Sequence, residues 1–282
     1  MDLTRSDIDR VVRMALAEDV GHGDLTSAVT ISERAAICAV MAARETLVLA
    51  GLPFAEATFK ACDPDVTFHP QAQDGDKLAA GAIIARVTGK ARAVLTAERT
   101  ALNIVQHLSG IATLTHAYAS RIAHTKAKLL DTRKTIPGLR LAAKYAVRMG
   151  GGHNHRMRLD DGILIKDNHV ARCGGVAAAV RAAKSHDISA SRFGVAVECD
   201  TLDQVKAAIA AGADRLLLDN MSLDMLREAV RIADGRLPLE ASGGVTLETI
   251  AAIAETNVDF ISVGRITQSA PAVDIGLDYE DA

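Results

Sequence analysis

The sequence lacks several features that define common classes of protein. Aromatic residues make up only 3% of the 282 residues and there is no tryptophan, which argues against base-stacking platforms and against an aromatic membrane belt. No run of 18 apolar residues occurs, so no membrane-spanning helix is expected. The 32 lysines and arginines are balanced by 35 aspartates and glutamates. The chain therefore has no global basic field for nucleic acid, although a local basic pocket is still allowed.

Cysteine and nucleotide-binding motifs are also scarce. Cys38, Cys62, Cys173 and Cys199 are too far apart in sequence to form a CxxC site, and the pattern predicts reduced, mostly buried thiols in a cytoplasmic protein. The N-terminal residues lead into an amphipathic segment and not into an apolar signal core. No GxGxxG or Walker sequence is present, so dinucleotide and nucleoside triphosphate binding lack support.

The first third of the chain mixes helical and extended patterns. Residues 6–18 are predicted to form a helix with Ser6 as its N-cap, because their apolar residues fall on one face. Short extended pieces are expected at residues 36–42, 66–69 and 83–87, between turns rich in Gly, Pro and Asp. A long helix is predicted over residues 95–108, with a break at Ser109-Gly110.

From about residue 126 the pattern becomes regular. Six short apolar runs, each with a polar or small end, alternate with helical stretches, and Thr201 with Gln204 forms a capping box at one of those helices. This is repeated βα structure with strands suited to burial on both faces. Six strands are too few for an eight-stranded barrel, so the pattern predicts an incomplete α/β barrel. The runs span residues 129–131, 163–166, 195–198, 216–219, 238–242 and 260–264.

Polar side chains stand at the ends of these predicted strands. In an α/β barrel, the chemistry is located at the carboxyl ends of the strands. We therefore expect these residues to converge on one mouth: Asp131, Arg133, Lys134, Lys166, Glu198, Asp219 and Ser242.

The charges predict an anionic ligand. Arg133, Lys134, Arg156 and Lys166, with His155, supply cations and donors, and the planar fork of arginine suits carboxylate or phosphate. The alternative for these cations is a solvated surface. A zinc site at His153 and His155 is disfavoured, because no third ligand stands at zinc spacing.

The acidic and glycine-rich ends allow two further interpretations. Glu198 and Asp219 are suited to Mg²⁺, to sugar hydroxyls or to a cationic transition state, and they can equally form ion pairs with the neighbouring lysines. Ser242-Gly243-Gly244 and Gly264 follow the last two predicted strands, where barrels commonly bind phosphate. Taken together, these residues predict a barrel enzyme for a multiply anionic, phosphate-containing substrate.

Several strings resemble the quinolinate phosphoribosyltransferase family. The most specific are Asp-Thr-Arg-Lys-Thr-Ile-Pro-Gly-Leu-Arg at 131–140 and Gly-Gly-Gly-His-Asn-His-Arg-Met at 150–157. Others lie at residues 18–26, 97–103, 164–169, 218–220 and 239–244, so the resemblance covers essentially the whole chain. It implies an N-terminal α/β sandwich domain at residues 1–110, a catalytic incomplete barrel of about six to seven strands at 111–269, and a tail at 270–282 that packs back on the first domain.

The resemblance also implies an activity. Members of the family are pentosyltransferases that join quinolinate to phosphoribosyl pyrophosphate with Mg²⁺, giving nicotinate mononucleotide, pyrophosphate and CO₂ in NAD biosynthesis. They are homodimers in which each barrel mouth is closed by the N-terminal domain of the other subunit.

Family roles carry over to matching positions of this chain. Arg133, His155, Arg156 and Lys166 would hold the quinolinate carboxylates, and Arg99 would reach them from the partner subunit. Lys134 and Lys166 would face phosphoribosyl pyrophosphate, and Glu198 and Asp219 would face its ribose and Mg²⁺. The 5-phosphate would lie against Ser242, Gly243, Gly244 and Gly264.

One segment departs from the family pattern. Many members read Ala-Leu-Thr-His after the turn that ends in Gly264, whereas this chain reads Arg265-Ile266-Thr267-Gln268. Gln268 can donate a hydrogen bond but brings no charge, and Arg265 either replaces that charge or points elsewhere.

Two other functions remain open at this point. One is that of the homologue found in molybdate transport operons, which the retained Asn154-His155-Arg156 and the string at 166–169 disfavour. The other is a catalytically silent binding protein on the same fold, which would be expected to lose some charged strand ends. An assay with quinolinate, phosphoribosyl pyrophosphate and Mg²⁺ separates the three functions.

Overall fold

The computed structural model describes residues 3–189 and 191–280. The chain divides into two compact units. The first comprises Met1–His116, Thr135–Gly151 and Ile266–Ala282, and the second comprises Ala117–Lys134 and Gly152–Arg265.

Helices and strands alternate over most of the described chain. The helices are α1 (Arg5–Asp19), α2 (Leu25–Thr30), α3 (Leu52–Cys62), α4 (Ala91–Arg121), α5 (Arg140–Met149), α6 (Asp167–Cys173), α7 (Val176–Lys184), α8 (Leu202–Ala210), α9 (Leu223–Ala233), α10 (Ile250–Ala254) and α11 (Arg265–Gln268). The strands are β1 (Ala36–Ala43), β2 (Leu47–Val48), β3 (Thr67–Pro70), β4 (Lys77–Leu78), β5 (Ile83–Lys90), β6 (Lys128–Leu130), β7 (Ile163–Ile165), β8 (Val195–Cys199), β9 (Arg215–Asp219), β10 (Leu239–Ser242), β11 (Phe260–Ser262) and β12 (Ile275–Glu280).

The first unit is built on an antiparallel sheet. Its strand order is β12-β1-β5-β3, and β2 pairs separately with β4. β1 lies between β12 and β5, with Met41 opposite Leu277 on one side and Ala85 on the other. The core of this unit is apolar and closely packed, and the rings of Phe59 and Phe68 lie 6.1 Å apart within it. The extended pieces predicted near residues 36, 66 and 83 are therefore confirmed as β1, β3 and β5.

The first helix begins earlier than predicted. Thr4, and not Ser6, is the N-cap of α1. The Thr4 hydroxyl accepts the backbone N–H of Asp7, and the Asp7 carboxylate accepts the backbone N–H of Thr4. This reciprocal capping box satisfies two donors that the helix would leave unpaired, which explains why the earlier position is favoured.

The predicted helix break at Ser109-Gly110 is wrong. α4 continues through both residues for 31 residues in all. Ser109 is fully buried, and its hydroxyl contacts both the backbone N–H and the carbonyl of Ala50. A Cβ at position 110 would lie 2.0 Å from the carbonyl oxygen of Pro271. Glycine is therefore present because another segment passes close to the helix, and not because the helix ends.

The second unit contains a parallel sheet of six strands. The order is β6-β11-β10-β9-β8-β7, and each predicted apolar run supplies one strand. β6 and β7, the first two strands of this sheet along the chain, stand at its opposite edges, and an isolated bridge joins Leu130 to His153 beside β6. The predicted incomplete α/β barrel is confirmed. The capping box of Thr201 and Gln204 at α8 is confirmed as well.

The cysteine prediction holds only in part. All four thiols are free, but only Cys199 is buried, and Cys173 is exposed on α6. The prediction that most of them are buried is wrong, since Cys38 and Cys62 are half-buried and the helix that carries Cys173 buries none of its residues. Among the described residues, no helix is both long and apolar enough to cross a membrane.

Candidate active site

The strand register brings polar side chains to one edge of the parallel sheet. Ser242 of β10 lies opposite Asp219 of β9, and Glu198 of β8 lies opposite Leu217, two residues before Asp219. Side chains alternate between the two faces of a strand, so Glu198, Asp219 and Ser242 share a face. Lys166 follows β7 directly. The sheet thus places these four residues, as predicted, at the carboxyl ends of neighbouring strands.

Lys166 and the strand-end acids form a connected group. The Nζ atom of Lys166 lies 3.3 Å from an Oε atom of Glu198. Asp200, which follows β8, completes an acidic cluster, because one carboxylate oxygen from each of Glu198, Asp200 and Asp219 lies within 4.8 Å of the others. Carboxylate oxygens are the ligands that Mg²⁺ prefers, so the donor set fits that ion.

Glu198 and Asp219 both have pKa values above the ordinary values of their carboxyl groups. Burial raises the pKa of Glu198 above its ordinary value, and the Lys166 charge opposes that rise. Burial also raises the pKa of Asp219, and the nearby Asp200 carboxylate acts in the same direction. The Lys134 charge partly offsets the rise at Asp219, so Lys134 lies close enough to influence this cluster. A site that crowds carboxylates in this way favours the binding of a cation or of developing positive charge.

The glycine loop after β10 is fixed against the loop after β9. Asn220 adopts a left-handed conformation with φ of 53° and donates its backbone N–H to the carbonyl of Ser242. Gly243 has φ of 92°, and a Cβ there would lie 2.2 Å from Oδ1 of Asn220. Only glycine satisfies both constraints. The backbone after Ser242 is therefore packed against Asn220 at the carboxyl edge of the sheet.

Lys134 reaches the next glycine loop. A Cβ at Gly264 would lie 2.7 Å from Cδ of Lys134. The lysine stem thus covers the turn after β11, while its charge acts on Asp219 of β9. Lys134 connects the two places where phosphate and ribose binding are predicted.

Asp131 organises the segment that carries His155 and Arg156. Its side chain is fully buried and accepts hydrogen bonds from the side chain of Asn154 at 2.6 Å and from the backbone N–H of His155 at 2.9 Å. Asp131 was expected to lie at the mouth, and its contacts show that it orients the loop at 153–156. Its contacts fix that loop beside β6, next to the bridge between Leu130 and His153.

His155 and Arg156 are both buried. The Nδ1 atom of His155 accepts the backbone N–H of Arg156 at 2.7 Å, and Nε2 lies 3.3 Å from Glu240. The Arg156 guanidinium donates to the carbonyl of Gly162 at 2.9 Å. Burial lowers the pKa of Arg156, and the charge of Arg133 lowers it further. Two guanidinium groups that repel each other in this way form a site for an anion.

Sequence reasoning missed four residues around the site. Asp200 and Asn220 lie just after the ends of β8 and β9. Their position directly after an apolar run was the signal that could have identified them. Glu240 and Arg215 lie inside strands at 1% and 6% exposure, where an isolated charge in an apolar run was the available signal. All four lie in the second unit.

Three residues with predicted or open roles lie outside these contacts. Arg99 is exposed on the part of α4 that belongs to the first unit, and its role in a partner's site stays a prediction. Burial raises the pKa of Tyr118 and the Arg265 charge opposes that rise, so Arg265 lies near Tyr118. Gln268 is exposed at the end of α11.

Comparison with known proteins covers both parts of the chain. The protein-family model for the C-terminal domain of quinolinate phosphoribosyl transferase matches residues 111–278. The family model for its N-terminal domain matches residues 24–109. The two models together match most of the sequence.

Individual relatives match over nearly full length. A nicotinate-nucleotide pyrophosphorylase [carboxylating] from Mycobacterium leprae is 43% identical over 95% of this chain and 95% of its own. A quinolinate phosphoribosyltransferase [decarboxylating] from Nicotiana tabacum is 41% identical over 97% of this chain and 83% of its own. The solved nicotinate-nucleotide pyrophosphorylase from Francisella tularensis superposes with a TM-score of 0.94 at 44% identity, covering 99% of this chain and 98% of the other. By sequence and fold, this chain belongs to the quinolinate phosphoribosyltransferase family.

Proposed function

We propose that this barrel mouth transfers the phosphoribosyl group of phosphoribosyl pyrophosphate to quinolinate, with loss of CO₂. The products are nicotinate mononucleotide, pyrophosphate and CO₂, and the reaction is a step of NAD biosynthesis. The observation that carries the proposal is the set of opposite charges in the second unit, where Lys166 pairs with Glu198 of the acidic cluster and Arg133 lies near Arg156 in the basic segment. The full-length matches to this family support the same reaction.

Quinolinate is a dianion on a flat ring and needs paired cations. Burial and the charge of Arg133 lower the pKa of Arg156, so a carboxylate between the two guanidinium groups relieves their repulsion. His155 and Lys166 complete the proposed quinolinate site. The planar guanidinium groups favour bidentate contacts with carboxylates.

Phosphoribosyl pyrophosphate fits the loops that follow β10 and β11. The backbone at Ser242, Gly243, Gly244 and Gly264 suits a 5-phosphate, since the space beside Gly244 lets an oxyanion approach the backbone N–H groups. Lys134 covers Gly264 and acts on Asp219. It is therefore placed to neutralise charge on the phosphate-containing substrate.

The chemistry needs stabilised positive charge on the ribose. As the C1–O bond to pyrophosphate breaks, that bonding pair leaves with pyrophosphate and positive charge develops on the ribose. The fixed carboxylates of Glu198 and Asp219 stabilise it. The lone pair of the pyridine nitrogen then forms the new bond to C1. As the adjacent carboxylate leaves as CO₂, the electron pair of the broken bond remains on the ring carbon, where the positive charge of the quaternary nitrogen stabilises it. A proton from solvent then bonds to that carbon.

The acidic cluster is also the proposed place for Mg²⁺. Glu198, Asp219 and the additional Asp200 would hold the ion, partly through water and substrate oxygens. When bound, the ion supplies neutralisation of the pyrophosphate charge.

We further propose that the protein is a homodimer with shared active sites, in which Arg99 enters the partner's barrel mouth. An apolar patch in the first unit supports an interface: Leu25 and Val29, four residues apart on α2, are 81% and 82% exposed. Exposed apolar patches mark association surfaces. The proposed location is the cytoplasm, supported by the four free cysteines.

The test is direct turnover. The purified chain is incubated with quinolinate, phosphoribosyl pyrophosphate and Mg²⁺, and nicotinate mononucleotide and CO₂ are quantified. Nicotinate replaces quinolinate in a control reaction, which should give little product because it lacks one carboxylate. The proposal fails if quinolinate is not consumed, or if nicotinate is used equally well.

A further inference from the structure

A buried charged group includes His155 of the predicted quinolinate site. The same Oε2 atom of Glu240 lies 2.6 Å from a guanidinium nitrogen of Arg215 and 3.3 Å from Nε2 of His155. Glu240, Arg215 and His155 are 1%, 6% and 6% exposed as whole residues. Charges buried to this degree are costly unless they are paired.

Arg215 is held by aromatic rings as well as by charge. Its guanidinium lies 4.1 Å from the ring centre of Phe260 and 5.6 Å from that of Phe193. The Phe193 ring also contacts the His155 ring edge-to-face, at 5.2 Å between centres. The aromatic surfaces therefore fix both neighbours of Glu240.

The register explains how Glu240 reaches this position. Glu240 of β10 lies opposite Leu217 of β9, and Arg215 stands two residues before Leu217. Arg215 and Glu240 therefore share the face that also carries Ser242. Although burial by itself raises the pKa of a carboxyl, contacts with His155, Arg215 and Ser262 outweigh it and hold the pKa of Glu240 below its ordinary value. Glu240 is thus a carboxylate and accepts hydrogen bonds.

The two nitrogens of His155 have complementary partners. Nδ1 accepts the backbone N–H of Arg156 at 2.7 Å, so Nδ1 carries no proton. The ring proton of the neutral imidazole then lies on Nε2, the nitrogen that faces Glu240. The Glu240 carboxylate, as an acceptor facing Nε2, therefore favours the Nε2–H tautomer. In that tautomer Nδ1 is free of a proton and accepts the backbone N–H of Arg156.

We propose that Glu240, itself fixed by Arg215, is a positioning residue that holds His155 in its Nε2–H tautomer and thereby sets the place of Arg156 in the quinolinate site. Glu240 acts through His155 and need not touch either substrate. Loss of the acceptor allows the ring to adopt the other tautomer, which would place a donor against the N–H of Arg156. The effect should therefore fall on quinolinate and not on phosphoribosyl pyrophosphate. This inference rests on the proposed function.

The test compares two double variants that differ only in the acceptor. Glu240→Leu with Arg215→Met replaces the ion pair by apolar groups, a change that buried pairs often tolerate. Glu240→Gln with Arg215→Met is equally uncharged but keeps a carbonyl oxygen for Nε2–H. We expect the first to raise the KM for quinolinate about tenfold, with the KM for phosphoribosyl pyrophosphate within about twofold of wild type. The second should stay near wild type.

Two controls separate positioning from general destabilisation. Val180→Ala removes methyl groups from a fully buried position on α7, and it should lower the melting temperature without changing the KM for quinolinate. The proposal is overturned if the leucine variant folds with a normal KM, or if the leucine and glutamine variants are equally impaired.

A spectroscopic measurement needs no substrate and no folded variant of Glu240. In ¹⁵N-labelled wild-type protein, His155, assigned by its loss in His155→Gln, should show Nε2 protonated and Nδ1 unprotonated. Protonation at Nδ1 in the neutral ring would refute the inference, even if the leucine variant failed to fold. Absence of turnover in the wild-type protein would refute the proposed function instead, so the two failures are distinguishable.

Discussion

At the level of single residues, the site depends on how buried charges are balanced. Arg133 and Arg156 repel each other, while Glu198 and Asp219 are crowded by further carboxylates. Each cluster therefore suits a ligand of the opposite charge. The two arginines suit an anion, and the two carboxylates suit developing positive charge.

Removing either arginine should weaken quinolinate binding. We expect Arg133→Ala and Arg156→Ala each to cost about 1.5–3 kcal/mol of binding free energy, because each removes a charge-assisted pair. Isothermal titration calorimetry measures the change. Arg158→Ala, at an exposed position nearby, serves as the matched control and should bind normally. Unchanged affinity in both Arg133→Ala and Arg156→Ala would remove these residues from the site.

Glu198→Gln should separate rate from binding. The substitution keeps the size of the side chain but removes the charge that stabilises the ribose in the transition state. We expect kcat to fall on the order of 100-fold while quinolinate affinity changes little. Asp203→Asn, at an exposed acid on α8, is the control and should retain full kcat. A normal kcat in Glu198→Gln would contradict the assigned role.

The buried carboxylate of Glu240 predicts a pH dependence of stability. Its pKa is held below the ordinary value in the folded chain, so the ionised form stabilises the fold above the unfolded pKa of about 4.3. That contribution is lost as pH falls through the lowered folded pKa. Urea unfolding of wild type and of Glu240→Gln with Arg215→Met at several pH values tests this. The wild-type free energy of unfolding should fall relative to the variant below about pH 4, and parallel curves would contradict the assignment.

Among the helices and strands, α4 shows how packing overrides local propensity. Ser109 and Gly110 disfavour a helix, yet the helix passes through both residues. The Ser109 hydroxyl forms hydrogen bonds with the backbone of Ala50, and the missing Cβ of Gly110 lets the backbone of Pro271 approach the helix. The same pair that suggests a helix end in the sequence acts as a contact site in the fold.

Gly110→Ala should therefore destabilise the protein, although alanine is the better helix former. The helix gain of about 1 kcal/mol is opposed by a Cβ that would lie 2.0 Å from a backbone oxygen. We expect a net loss of about 1–3 kcal/mol, as is usual for overpacking. Chemical denaturation provides the measurement, with Asn103→Ala at an exposed position of α4 as the control. Increased stability in Gly110→Ala would show that the close approach is absent.

For the molecule as a whole, the proposed shared active site needs a second copy of the chain. The proposal places exposed Arg99 in the partner's site, whereas Lys166 contacts Glu198 within its own barrel. Two sites shared across a two-fold axis would each need residues from both chains.

Mixed dimers test this arrangement. Arg99→Ala and Lys166→Ala proteins should each be inactive, but a heterodimer of the two has one site that lacks both residues and one intact site. With free exchange at equal ratio, half of the dimers are mixed, so about a quarter of wild-type activity should return. Mixing two preparations of Arg99→Ala is the control and should recover nothing. Verified heterodimers without activity would contradict the shared site.

The repeating strands and most of the mouth could be assigned from the order of residues alone. Apolar runs that end in polar residues specify buried parallel strands, and the parallel arrangement brings their carboxyl ends together, so Lys166, Glu198, Asp219 and Ser242 were predictable before the fold was known. The course of α4, the left-handed Asn220 against Gly243, and the network of Arg215, Glu240 and His155 emerged only from the folded chain. These features depend on contacts between residues far apart in the sequence, where strand register and close approach of backbones outweigh local propensity and hydrophobic pattern.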